Sequence, residues 1–261
     1  MSYIEINNIS FSYAGDSRLI LKDLNMNIEE GDFVCLLGQS GCGKSTLLRL
    51  IGGLECPNSG KIICNGQEIK EASLERSIVF QDYGLFPWKS IGDNILLALH
   101  KRFPKKKKRE LKEIARQNLE NVGLSMDIYN KYPKELSGGM QQRSAIARSF
   151  SIDAPILLMD EPFGALDAVT RAKLQNLLVH LWGKDEKRKT VVFVTHDVDE
   201  ALLLANKIFV LGQAPSRVIF NCEKNFCDVE ERKSILRDEK ISELRSELLN
   251  YINQDVLNRV E

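Results

Sequence analysis

The chain lacks any uninterrupted apolar run of the roughly 18 or more residues that a membrane-spanning helix needs. Its richest stretch, Ala201 to Gly212, contains Asn206 and Lys207, so no crossing of a bilayer is expected. It also lacks a charge excess. With 36 Lys+Arg against 36 Asp+Glu, no overall field favours nucleic acid or acidic lipid, and nucleic acid is not an expected partner. Cysteine and histidine are sparse. The six cysteines (Cys35, Cys42, Cys56, Cys64, Cys222, Cys227) form no C-x-x-C, and only three histidines accompany them, which excludes the familiar zinc spacings. Reduced, mostly packed thiols are expected. A Cys222–Cys227 pair and a perturbed Cys42 are the weaker alternatives. Met1 to Glu5 carries neither a basic leader nor an apolar signal core, so the expectation is a chain that stays in the cytosol.

What is present is ordinary globular protein: 261 residues, 43% hydrophobic and 28% charged, enough for one large domain or a domain with a subdomain. Strand-like and helix-like patterns alternate, as in an α/β protein with a parallel sheet. Leu24, Met26 and Ile28 alternate with polar residues, and Tyr3 to Ile6 and Lys61 to Ile69 are also strand-like. Residues 1 to about 80 are therefore expected to mix antiparallel strands with one βα unit. Phe33 to Leu37, Ile156 to Met159 and Val191 to Val194 are apolar on both faces, the pattern of central parallel strands.

From about residue 90 to 150 the period becomes helical, through Ile91, Ile95, Leu96 and Leu99 and then Leu111, Ile114, Ala115, Leu119 and Val122, which predicts a helical insert. Ile241, Leu244, Leu248, Ile252 and Val256 recur at three- and four-residue steps. They predict an amphipathic helix packed back on the domain. The expected division is residues 1–230 for the main domain and 231–261 for a helical extension.

Gly38-Gln39-Ser40-Gly41-Cys42-Gly43-Lys44-Ser45 is a complete G-x-x-x-x-G-K-[ST], lying between an apolar strand and the helical run that begins at Thr46. Glycines let successive N–H groups converge on phosphate oxygens, and the following helix adds its positive end. Lys44 would neutralise β- and γ-phosphate charge, and Ser45 would ligate Mg²⁺. A Gly-rich turn that merely opens a helix accounts for the glycines but not for the lysine and serine.

Two further strands end in polar groups. Asp160 and Glu161 follow Ile156 to Met159. Asp160 would hold Mg²⁺ and Glu161 would polarise water as general base; a solvated acidic turn is the bland alternative. His196 follows Val191 to Thr195, where its imidazole N–H would stabilise charge near a γ-phosphate. Ligands of open α/β sheets bind at the carboxyl ends of strands. A second Gly-rich turn, Leu136-Ser137-Gly138-Gly139, opens a helix and forms another anion site. One ATP needs only one such site, so the second is redundant or serves a partner's nucleotide.

These motifs in this order resemble the ABC ATPase family, with its P-loop NTPase core, antiparallel β-subdomain and inserted α-helical subdomain. Tyr13, Gln81 and Gly164-Ala165-Leu166-Asp167 match further parts of the family pattern. The resemblance implies a head-to-tail pair of ATPase subunits with two ATP molecules between them, each held by one chain's phosphate loop and the other's Ser137, Gly138 and Gly139. It assigns Tyr13 to adenine stacking, residues Gly38 to Thr46 to the nucleotide, Gln81 to Mg²⁺ and the attacking water, and Asp167 to communication between the sites. Tyr13 as a core aromatic, Gln81 as a surface amide and Asp167 as a helix N-cap remain open.

Phe86-Pro87-Trp88 follows Gln81 and, by the same resemblance, would dock on a permease; packing within the helical insert is the alternative. With the Gly139 to Arg143 run and the short tail after Arg217, it is most similar to importer ATPases for nitrate, sulfonate and taurine. A solute-binding protein would then be an indirect partner. Another small organic ion or a vitamin precursor remains open as cargo, and a soluble non-transport ABC ATPase as function. The basic cluster of Lys101, Arg102 and Lys105 to Arg109 fits a solvated helix start or a contact with anionic lipid.

Overall fold

The structure is a computed structural model that describes residues 3–15, 18–164, 166–183, 188–224 and 238–257. Cys227, Ala165 and the side chain of Val256 lie outside the described residues, and with them the Cys222–Cys227 pairing.

In chain order the elements begin with β1 (Ile4–Phe11), β2 (Leu21–Ile28), β3 (Phe33–Leu37), α1 (Lys44–Gly52), β4 (Ser59–Cys64), β5 (Gln67–Glu68) and β6 (Arg76–Val79). Next come α2 (Ile91–Arg102), α3 (Lys108–Asn121), α4 (Gly138–Ser151), β7 (Ile156–Asp160) and α5 (Ala168–Gly183). The chain continues through β8 (Thr190–Thr195), α6 (Val198–Leu204), β9 (Lys207–Leu211), β10 (Val218–Glu223) and α7 (Glu239–Leu257). They fall into two compact units, Met1–Ser73 with Val179–Glu261, and Leu74–Leu178.

The first unit holds an antiparallel sheet in the order β2-β1-β4-β5. In β1, Ile4 and Ile6 are buried, then Ile9 and Phe11, so the period-two pattern slips by one residue. A bulge absorbs the slip, with Asn8 at φ 52 and a register shift between Ile6 and Ile9. Gly60 on β4 lies so close to it that a Cβ would stand 2.3 Å from the Asn8 carbonyl oxygen. The predicted strand over Lys61 to Ile69 is broken at Asn65-Gly66, where φ values of 48 and 76 make a tight hairpin turn between β4 and β5.

The same unit holds β3 paired in parallel with β8 on one side and β9 on the other, with β10 antiparallel to β9. β3 and β8 are buried throughout, so neither face meets water. Phe33 packs edge-on against Trp182 and Phe193, ring centroids 5.6 Å away in both cases, and Trp182 Nε1 donates to the Gly31 carbonyl at 3.1 Å. On α7, Leu248 is fully buried, Tyr251 stacks on Phe220 at 4.4 Å and Arg245 Nε donates to Asp199 at 2.6 Å.

The second unit holds the parallel pair β6 and β7 with α2, α3 and α4 packed on one another. Ile91, Ile95, Leu99, Leu111, Ala115 and Leu119 are fully buried, the stripe that the helical period predicts. Each buried Leu or Ile there contributes roughly 1.5–3 kcal/mol.

Candidate active site

The first unit carries the phosphate loop. Parallel register sets Leu37 opposite Thr195, so the loop leaves β3 beside the residue that leaves β8, His196. Gly38 must be glycine, because a Cβ would stand 2.7 Å from the Leu211 carbonyl oxygen and 2.9 Å from Cys42 Sγ. Gly43, at φ 100, precedes α1 with no side-chain cap on the helix N-terminus, leaving its N–H groups for an anion. Lys44 is only 4% exposed, and its ammonium donates to the carbonyls of Gly38 at 2.8 Å and Gln39 at 2.7 Å. The amine is thus held over the loop by weak neutral acceptors that a phosphate would outcompete. Gln39, Ser40 and Gly41 line the outer turn and Ser45 is half-buried on α1.

Tyr13 is edge-on to Phe11 at 5.0 Å, and its hydroxyl lies 3.1 Å from Thr46 Oγ1. The half-buried ring therefore has a structural partner on α1 whatever else it touches. Cys42 is buried, and burial pushes its thiol pKa up while Lys44 partly offsets the effect. Desolvation outweighs the neighbouring ammonium, so the perturbation of this thiol is upward.

At the end of β8, the Thr195 hydroxyl donates to buried Glu200 at 2.7 Å and accepts from Asp197 N at 3.1 Å. Asp197 caps α6 through the N–H groups of Asp199 and Glu200. These bonds fix the connection and leave His196 exposed within it.

The second unit carries the carboxylates. Parallel register sets Val79 opposite Met159, so Gln81 and Glu161 each lie two residues past a matched pair. Their side chains meet, with Gln81 Nε2 donating to Glu161 Oε2 at 3.3 Å. Asp160 is 5% exposed, whereas Glu161 is half-buried at φ 44, a conformation unusual for a non-glycine residue. Among the described residues no cluster of three or more His, Cys, Asp or Glu could hold a metal by itself.

Ser137 caps α4, its hydroxyl accepting from Met140 N at 3.4 Å and keeping its own hydrogen to donate. Added Cβ atoms at Gly138 and Gly139 would approach Tyr83 Oη to 3.1 Å and Leu166 Cδ2 to 3.3 Å. Asp167 is the N-cap of α5, accepting from Val169 N at 3.1 Å and Thr170 N at 3.0 Å. Hydrogen bonds from the Thr170 hydroxyl, then from backbone N–H groups, hold its carboxyl below the usual range.

Phe86 and Trp88 are exposed, Trp88 by 70%, with rings 5.5 Å apart, so they do not fill the helical insert. Two residues that sequence reasoning missed hold this stretch. Arg148 on α4 donates to the carbonyls of Gly84 and, at 3.2 Å, Tyr83. Asn94 is 1% exposed; it accepts from Phe86 N at 2.7 Å and donates to the carbonyls of Phe86, Lys89 and Ser90. A polar residue inside the buried stripe of α2 was the signal for Asn94. Arg148 had none, because its acceptors are backbone atoms some 65 positions away.

The sequence matches the ABC transporter family over residues 21–164. It is 43% identical over 233 residues to the nitrate import ATP-binding protein NrtD of Synechococcus elongatus, covering 89% of this chain and 84% of that protein. The aliphatic sulfonates import ATP-binding protein SsuB of Bacillus cereus is 40% identical over 256 residues, 96% of each chain. The nitrate import ATP-binding protein NrtC of Synechococcus elongatus is longer: at 43% identity the match spans 92% of this chain but 36% of that one. The fold is similar to the ATP-binding cassette MJ0796, solved as a dimer in a post-hydrolysis state with ADP and Pi, at a TM-score of 0.77 and 31% identity over 85% of this chain and 99% of that one. The chain belongs to the ABC transporter family and is one of its ATP-hydrolysing subunits.

Proposed function

We propose that the chain drives import of a small anion, of the nitrate or sulfonate kind, by opening and closing a pair of ATPase subunits against a separate permease. The observation that carries the catalytic part is the contact of Gln81 with Glu161, beside buried Asp160. Import and cargo rest on the names of the relatives, and pairing on the dimeric cassette.

In this reading Lys44 leaves the carbonyls of Gly38 and Gln39 to meet β- and γ-phosphate oxygens, and residues Gly38 to Thr46 present N–H and hydroxyl donors. Tyr13 faces the adenine. Ser45, Gln81 and Asp160 hold Mg²⁺, which supplies neutralisation of phosphate charge. Glu161, oriented by Gln81, takes the proton of the attacking water, and His196 donates to the γ-phosphate as charge develops. Ser137, Gly138 and Gly139 reach the nucleotide of the second subunit.

Phe86 and Trp88 dock on the permease, which places the chain at the cytoplasmic face of the membrane. Among the described residues no helix is long and apolar enough to cross a membrane. We read residues 1–230 as the ATPase domain, with its helical insert at about 90–150, and 231–261 as an extension. A solute-binding protein would deliver the cargo.

Glu161→Gln tests the reading. It should retain ATP binding, accumulate a nucleotide-bound dimer and lose hydrolysis by about 100-fold or more, whereas Lys44→Ala should weaken binding itself. Unchanged turnover in Glu161→Gln would overturn the catalytic assignment, and loss of nothing but cargo specificity on exchanging the solute-binding protein would locate selectivity outside this chain.

A further inference from the structure

A cavity of about 440 Å³ lies wholly within the second unit, where the end of α3, the start of α4 and the first turns of α5 come together. It is within the roughly 300–1,000 Å³ typical of small-molecule sites. Val122, Leu174 and Leu177 give it an apolar wall, and Arg143 and Lys173 give it two cations. No carboxylate lines it.

The Arg143 guanidinium is anchored rather than neutralised. Nε donates to the Gly139 carbonyl at 3.4 Å and Nη1 to the Gly123 carbonyl at 3.0 Å. A guanidinium has five N–H donors, so the greater part of its capacity remains, and neither Arg143 nor Lys173 is ion-paired among the described residues. Thr170 on the same wall is already committed to Asp167 through its hydroxyl and its N–H.

We propose that this cavity binds a small organic anion, a carboxylate or sulfonate with a short aliphatic tail. The head group would pair with Arg143 and Lys173 and the tail would lie on Val122, Leu174 and Leu177. A planar guanidinium suits a two-oxygen head group. An amine or metal cation would meet only like charge. The site is separate from the phosphate loop, which belongs to the other unit. Because Arg143 also holds the Gly139 carbonyl, a ligand there would touch the helix that opens with the Ser137 turn.

The test uses the full chain with methyl-labelled Val and Leu, titrated with butane-1-sulfonate and, separately, butan-1-ol. The expected result is saturable shifts of the Val122, Leu174 and Leu177 methyls with the sulfonate and none at equal concentration of the alcohol. Lys173 is exposed, so Lys173→Gln keeps the fold and should weaken sulfonate binding about fivefold, and Lys173→Glu more. Shifts confined to the phosphate loop, equal response to the alcohol, or binding indifferent to both Lys173 variants would overturn the proposal.

Discussion

Gln81 Nε2 donates to Glu161 Oε2 at 3.3 Å because the two side chains stand equally far beyond a register-matched pair of strand residues, Val79 and Met159. The contact orients the carboxylate without cancelling its charge. Gln81→Ala should therefore lower kcat roughly 10- to 100-fold. An unchanged kcat would overturn the role of Gln81 in orienting Glu161.

Arg148 ties α4 to the turn after Gln81 through the Gly84 and Tyr83 carbonyls. Burial pulls its guanidinium below the ordinary range, with Asp82 opposing, yet the group stays charged because an arginine value starts so high. Arg148→Ala leaves two carbonyls without their donor and should cost about 2 kcal/mol, or roughly 4–8 °C in Tm. Arg148→Lys should recover only part of that, since one ammonium cannot reproduce a planar fork. Thermal unfolding followed beside turnover separates the two effects. A kcat loss in Arg148→Lys larger than its Tm loss explains would mark the link as a route from α4 to Gln81.

Asn94 makes its bonds from inside the core, so Asn94→Leu keeps volume while removing all four side-chain bonds that it makes to the Phe86–Ser90 stretch. The expected cost is about 2–3 kcal/mol. The local effect should exceed the global one, with chymotrypsin cutting after Phe86 or Trp88 faster than the lower Tm alone accounts for. Equal cleavage rates at matched stability would mean that Pro87 and the paired rings hold the turn unaided.

What the sequence made legible follows from physics that acts over short range. Strands buried on both faces, such as β3 and β8, are continuous apolar runs, and the phosphate loop is written in eight consecutive residues. The helical stripe from Ile91 to Leu119 was readable for the same reason. Slips and long-range ties were not. The bulge at Asn8 breaks the alternation of β1, and the turn at Asn65-Gly66 divides what reads as one strand, although that dipeptide is itself a hairpin signal. Arg148 bonds to carbonyl oxygens, which every residue has, so no residue type marks its partners. The contact between Gln81 and Glu161 depends on strand register, a property of two segments 80 residues apart.

Cys42 and Cys35 should be the least reactive thiols of the described part of the chain. Burial raises both, Cys35 further, with Glu200 adding to the effect on Cys35 and Lys44 opposing it on Cys42. Only a thiolate reacts at speed, so at neutral pH alkylation by iodoacetamide should begin at exposed Cys56 and reach Cys42 only above the ordinary thiol range or after unfolding. The same shifts make stability fall as pH climbs past the ordinary thiol value, because the unfolded chain then releases protons that the folded chain retains. Peptide mass mapping of a timed alkylation checks the order. If Cys42 were labelled as fast as Cys56 at neutral pH, the phosphate loop would have to open far enough to hydrate the sulfur, and the close packing of Gly38 against Cys42 would not describe the loop in solution.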